Sequence, residues 1–188
     1  MFDSLCDLAA LVYERDQNPD KILLEFASDL SARGHHAIGL VQLGHYCLDA
    51  PNLSAKLVHT GEELQLFRNP APSSIGYRLD VSRLLDAGAQ VADAIDQGGD
   101  IVIVNRFGRQ ECAGKGLSYL VERALNADIP VVIAVPSHRF ADWIRFAQGM
   151  SVKLRCDREA LDAWWHAVSA RSSGLVRHDH RTVCEVLK

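Results

Sequence analysis

Asp100-Ile101-Val102-Ile103-Val104-Asn105, followed by Arg106-Phe107-Gly108-Arg109-Gln110-Glu111-Cys112-Ala113-Gly114-Lys115-Gly116, is the stretch on which the fold turns. Four consecutive β-branched residues, apolar on both faces, suit the centre of a parallel sheet covered by helices on each side. The loop that follows is the most polar and glycine-rich of the chain. Beyond it the pattern repeats, with a helix over Leu117–Ala127, an apolar strand over Ile129–Val135 and a short helix over Phe140–Gln148 behind Pro136. Val152–Leu154 reads as a last strand, and Arg158–Arg171, with Leu161, Trp164, Trp165 and Val168, as a closing amphipathic helix with one exposed indole ring.

The same alternation holds upstream. Leu8–Tyr13 reads as a buried strand, Asn18-Pro19 as a cap and first helical position, and Ile22, Leu23, Phe26 and Leu30 as the apolar stripe of a helix ending at Gly34. Ala37–Leu43 is a second strand, and LVHTGEELQLF, ending at Phe67, predicts an antiparallel hairpin about Thr60-Gly61, inserted at the sheet edge. After a loop over Pro70–Ser74, Asp80 caps a helix that Gly98-Gly99 terminates. The expectation is an α/β fold in three layers, a mostly parallel sheet flanked by helices. One domain is expected over residues 1–171, with Ser172-Ser173-Gly174 opening a basic tail over 172–188.

A chain of 188 residues can bury a core without disulfides, and its five cysteines, Cys6, Cys47, Cys112, Cys156 and Cys184, form no Cys-x-x-Cys pair. They read as reduced thiols. The net charge of -4 argues against binding nucleic acid through its phosphates. Met1-Phe2-Asp3 carries acid where a signal peptide carries base, and no apolar run reaches membrane-spanning length, so a cytoplasmic protein with no membrane contact is expected.

Ligands in open parallel sheets lie at the carboxyl ends of the strands, which directs attention to Glu14–Asp20, Asn105–Gly116 and Pro136–Arg139. These three loops are expected to converge. The first, ERDQNPDK, stands where a phosphate-binding loop would, but no glycine precedes Gly34, and Glu14, Asp16 and Asp20 set negative charge where a triphosphate would arrive. In the second, Arg106, Arg109 and Lys115 supply positive charge, and Gly114-Lys115-Gly116 opens a helix whose free N–H groups could hold an anion. The bland alternative is an exposed turn with solvated charges.

DIVIVNRFGRQECAGKGL, followed by a helix and IPVVIAVP, resembles an uncharacterised bacterial domain-of-unknown-function family distantly related to P-loop nucleoside triphosphatases. The resemblance implies a P-loop-like fold with a degenerate Walker A loop. In the related triphosphatases the equivalent strand ends in aspartate and the loop keeps a glutamate; Glu111 matches the second and Asn105 departs from the first. ARGHHAIGLVQLGHYCLDAP is more loosely similar to the nucleotide-binding adapter of molybdopterin dinucleotide synthesis, with His45 and Asp49 as counterparts of a His and an Asp there. Together the resemblances imply a connection to molybdate or the molybdenum cofactor.

The resulting expectation is a protein that holds a small anionic ligand or a partner protein through Asn105, Arg106, Arg109, Gly114, Lys115 and Gly116. One alternative is a nucleoside triphosphatase with Glu111 activating water and Lys21 or Lys115 on the phosphates. The other is a non-enzymatic scaffold whose tail docks on another chain. Homodimerisation through the hairpin or the tail stays open. His45-x-Cys47 and His178-x-His180 lack a matching second pair, so neither a metal nor a cofactor is expected. Cys112, beside Arg109 and Lys115, has no histidine next to it in sequence and is not expected to act as a nucleophile.

Overall fold

A computed structural model describes residues 6–43, 54–68 and 78–172. The Pro70–Ser74 loop, His45, Cys47, Asp49, the His178-x-His180 pair, Cys184 and nearly all of the tail lie outside the described residues.

Each long element has a local cause. Strands β1 (Leu8–Tyr13) and β2 (Ala37–Leu43) flank helix α1 (Pro19–Ala32), whose Asn18 cap accepts the Lys21 N–H at 3.1 Å. The edge hairpin is β3 (Ser54–Leu57) and β4 (Glu63–Leu64). It is shorter than its sequence suggested, because residues 67–68 leave it to form a separate two-stranded pair, β5 (Phe67–Arg68) with β6 (Arg78–Leu79). Asp80 then accepts the Arg83 N–H and starts α2 (Val81–Gln97), ahead of β7 (Ile101–Asn105). The polar loop contains one short helix, α3 (Arg109–Cys112), before α4 (Ser118–Asn126) and β8 (Val131–Pro136). A 3-10 turn leads into α5 (Phe140–Phe146), β9 (Val152–Arg155) and α6 (Arg158–Ser172).

The main sheet runs β4-β3-β2-β7-β8-β1-β9. Every pairing from β2 to β9 is parallel, and only the hairpin at the β2 edge is antiparallel. The step from β1 to β2 crosses the sheet in one direction and the later parallel steps cross in the other. With a common right-handed crossover this places α1 on one face and α2, α4 and α5 on the opposite one, and α6, which follows the last strand, packs on the α1 face. The core divides accordingly. Val102 and Val104 of β7 pack with Leu84 and Val91 of α2 and Leu120 of α4, whereas Ile101 and Ile103 pack with Leu23 and Phe26 of α1 and Trp164 of α6. Trp165 is only 6% exposed, packed edge-on against Phe26 at 6.4 Å and His35 at 5.4 Å; the expected exposed ring is part of the core.

Close approach fixes one glycine. Gly39 in β2 has φ +144, and a Cβ there would lie 1.9 Å from the carbonyl oxygen of Ile103 on the neighbouring strand. No described helix is long and apolar enough to cross a membrane.

Candidate functional site

The connections leaving β1 and β8 depart to opposite faces, so the gap between these neighbouring strands is the switch point at which open α/β sheets accept ligands. The three loops singled out from sequence meet there. Ser137 Oγ, just after β8, donates to Glu14 Oε2, just after β1, at 2.6 Å. Arg106, just after β7, donates from Nη1 to the Tyr13 hydroxyl at 3.2 Å.

At the floor of this region is a buried polar group that joins α1 to β7. Asp20, in the first turn of α1, is 5% exposed, and Asn105, the last residue of β7, is 1% exposed. Asn105 Nδ2 donates to Asp20 Oδ1, and Arg106 Nη2 lies 3.8 Å from Asp20 Oδ2. Burial raises the carboxyl pKa of Asp20 above the usual aspartate range, against the opposing pull of the Asn105 hydrogen bond and the Arg106 charge. The acid that stands closest to the end of β7 is thus carried by the helix, and the strand supplies an amide.

Both carboxylate oxygens of Glu111 are engaged within the loop itself. The residue is buried, its Oε2 accepts the Gly108 N–H at 2.9 Å, and its Oε1 accepts the Leu117 N–H at 3.0 Å. One carboxylate therefore ties the start of α3 to the cap of α4. The spacing of Glu111 three residues after Gly108 is the sequence signal for half of this arrangement, a glutamate at the third helical position reaching back to its own cap. Gly116 makes room for it: at φ +63, a Cβ would meet Glu111 Oε1 at 2.2 Å. Gly114 is likewise left-handed at φ +67, and its N–H is taken by the Glu111 carbonyl at 3.0 Å. The Lys115 N–H goes to the Gln110 carbonyl at 2.9 Å. Helix α4 begins one residue beyond Gly116, at the Leu117 cap, and the anion held at that cap is the chain's own.

Of the expected binding residues, Asn105 and Arg106 face Asp20, Gly114 and Gly116 shape the loop, and Arg109 and Lys115 are exposed. Lys21 is also exposed and lies 3.8 Å from Glu25 on its own helix. Arg139 ends the third loop singled out from sequence, but its place beside the exposed Cys112, and that of Asp142, went unread: Arg139 Nη1 lies 3.4 Å and Asp142 Oδ2 3.9 Å from the sulfur. No group of three or more metal-ligating side chains comes together among the described residues.

This architecture is matched by the solution structure of a human cancer-related nucleoside triphosphatase. The TM-score is 0.53 at 10% identity, over 88% of this chain and 95% of that one. The common element is the fold, an α/β sheet of the P-loop type. In sequence, 180 residues, 94% of this chain, are 35% identical to part of molybdenum import ATP-binding protein ModC 2 from Bradyrhizobium diazoefficiens. The matched region makes up 20% of that protein, so this chain spans about a fifth of its length. A family model described as a protein of unknown function, DUF2478, matches residues 8–164. With most of its length inside that match, the chain belongs to the DUF2478 family.

Proposed function

We propose that this P-loop-like protein serves as a binding module and does not hydrolyse nucleotide at the usual place, taking a small oxyanion or an anionic group of a partner through the rim of the Asn105–Gly116 loop. The observation that carries the reading is the division of the loop's charges. Its acid, Glu111, accepts two backbone N–H groups, while Arg109 and Lys115 remain exposed. A triphosphate would need the β1–α1 turn, where ERDQNPDK offers neither the glycines nor the hydroxyl that phosphates and magnesium require. Support for molybdate as the oxyanion comes from the 35% identity to part of a molybdenum import ATP-binding protein.

The test is a thermal-shift series with molybdate, tungstate, sulfate, phosphate and nucleotides with and without magnesium. A ligand at about 100 times its dissociation constant adds roughly 2.7 kcal/mol to the folded state. Binding of an oxyanion that is lost in Arg109→Ala/Lys115→Ala supports the reading; binding that survives both substitutions removes it. A magnesium-dependent nucleotide shift would favour the triphosphatase alternative instead.

A further inference from the structure

Asn105 Nδ2 donates to Asp20 Oδ1, yet the second oxygen of each side chain, Asp20 Oδ2 and Asn105 Oδ1, is buried without a hydrogen-bond partner among the described residues. An ionised aspartate and an amide cannot mend this between them, because both leftover atoms only accept. Turning the amide over exchanges its nitrogen and oxygen and still leaves one acceptor of each residue unmatched. Arg106 does not reach: its Nη2 is 3.8 Å from Asp20 Oδ2, beyond hydrogen-bond range, and its Nη1 donates to the Tyr13 hydroxyl at 3.2 Å. One proton resolves the mismatch, since a carboxylic acid and an amide each offer a donor and an acceptor and pair reciprocally. We propose that Asp20 holds a proton on Oδ2 and donates it to Asn105 Oδ1, an acid–amide lock between α1 and β7 that acts as a proton-operated switch, drawing Arg106 from Tyr13 to Asp20 when the proton leaves.

Burial favours the neutral acid, because a carboxylate in this place gives up its hydration. The Asp20 pKa is raised for that reason, against the opposing effects of the Asn105 hydrogen bond and the Arg106 charge. The other groups around Asp20 leave the assignment intact. Tyr13, at the end of β1, is held by Arg106. Cys156, after β9, has its thiol pushed up to about 11 by burial, Asp157 and Asp20, so it stays neutral while Asp20 titrates. Lys21, next along α1, is exposed and pairs with Glu25. Loss of the proton to water leaves a carboxylate whose Oδ2 needs a donor, and the guanidinium at 3.8 Å supplies one. A shift of about 1 Å brings Nη2 into charge-assisted bonding range and loosens Nη1 from Tyr13. Tyr13 ends β1 and Arg106 follows β7, so the proton is coupled to two of the three loops at the ligand-binding end of the sheet. The inference does not involve Arg109 or Lys115 and is independent of the proposed function.

The experiment uses the full chain with carbon-13 in its aspartate carboxyl groups and nitrogen-15 in its arginine side chains, titrated with acid and base by NMR. The Asp20 signal is the one absent from Asp20→Asn, a variant whose amide carries the donor and acceptor of the proposed acid. The Asp20 carbon is expected to titrate above 3.8, the ordinary aspartate value, with the Arg106 nitrogen signals moving at the same midpoint. In Asp20→Asn the Arg106 signals should stay at their acid-side positions. The lock's contribution to stability is complete below 3.8 and is lost as pH rises through the folded-state pKa. The thermal midpoint of Asp20→Asn should therefore rise relative to the parent between about pH 4 and about pH 8. An Asp20 carbon that titrates at or below 3.8 overturns the proposal, as do Arg106 signals that ignore the Asp20 titration. A variant less stable than the parent across the whole range, or one that does not fold, also overturns it, because Asp20 is then a carboxylate counter-ion to Arg106.

Discussion

Glu111 Oε1 accepts the backbone N–H of Leu117 at 3.0 Å across a loop in which the same carboxylate also holds Gly108, at 2.9 Å. The carboxylate of Glu111 thus braces the loop between α3 and α4. Glu111→Ala leaves two backbone donors unpaired and is expected to cost about 2–4 kcal/mol in urea unfolding, with Glu111→Gln losing about half as much. A change below about 0.5 kcal/mol in the alanine variant would show that the brace contributes little.

Gly39→Ala is expected to be the most disruptive single methyl in the sheet. The added carbon would sit 1.9 Å from a backbone oxygen of β7, which cannot move without breaking the pairing of Gly39 with Ile103. A loss exceeding about 4 kcal/mol, or insoluble protein, is anticipated. Recovery of a protein with unchanged unfolding midpoint would contradict the register of β2 on β7.

Trp143 is fully buried, packs edge-on to Phe107 at 5.1 Å and donates from its indole nitrogen to Ser151 Oγ at 3.1 Å. Phe107 directly follows Arg106, so this aromatic contact supports the start of the β7 loop from beneath. Trp143→Ala should cost about 3–5 kcal/mol, and Trp143→Phe clearly less. Equal losses in the two variants, measured by chemical unfolding, would locate the effect in the hydrogen bond to Ser151 and not in packing.

Cys156 gives a pH signature. Burial, with further contributions from Asp157 and Asp20, pushes its thiol up from 9.0 to about 11. The folded state therefore keeps this proton more tightly than the unfolded state. The stability it contributes is complete below about pH 9 and is lost as pH rises towards about 11. Cys156→Ala should flatten the alkaline decline of unfolding free energy, an effect on the order of 2 kcal/mol. Parallel curves for the two proteins would remove Cys156 as its source. Peptide mapping after brief maleimide treatment at neutral pH should find Cys112 modified and Cys156 protected.

Much of the fold was legible because its signals are local. The runs at Leu8–Tyr13 and Ile101–Asn105 are too apolar for a solvated edge, and Asn18 and Asp80 cap helices that begin one residue later. The two-residue strands at Phe67 and Arg78 are too short to show a period, and α3 has a single turn. The candidate site was legible only as charge. Asp20 was visible as an obstacle to triphosphate, but its partner Asn105 lies 85 positions away, and only strand order brings the two together. The exposed ring expected of the Trp164-Trp165 pair is absent for a related reason: periodicity alone does not reveal that His35 and Phe26 pack against the Trp165 ring.

The placement of β1 between β8 and β9 has a consequence for the chain as it is made. The β2–β3 ladder can zip as soon as Leu57 has been synthesised, and β7 can join it after Asn105. The first strand, by contrast, has no neighbour until Val131–Pro136 emerges, so its apolar backbone edge is carried unpaired past more than half of the polypeptide. Such long-range closure is slow and leaves a sticky segment exposed during synthesis. Ribosome-bound chains halted before Val131 should hold Leu8–Tyr13 in a state that chaperones recognise, and release should follow the arrival of β8.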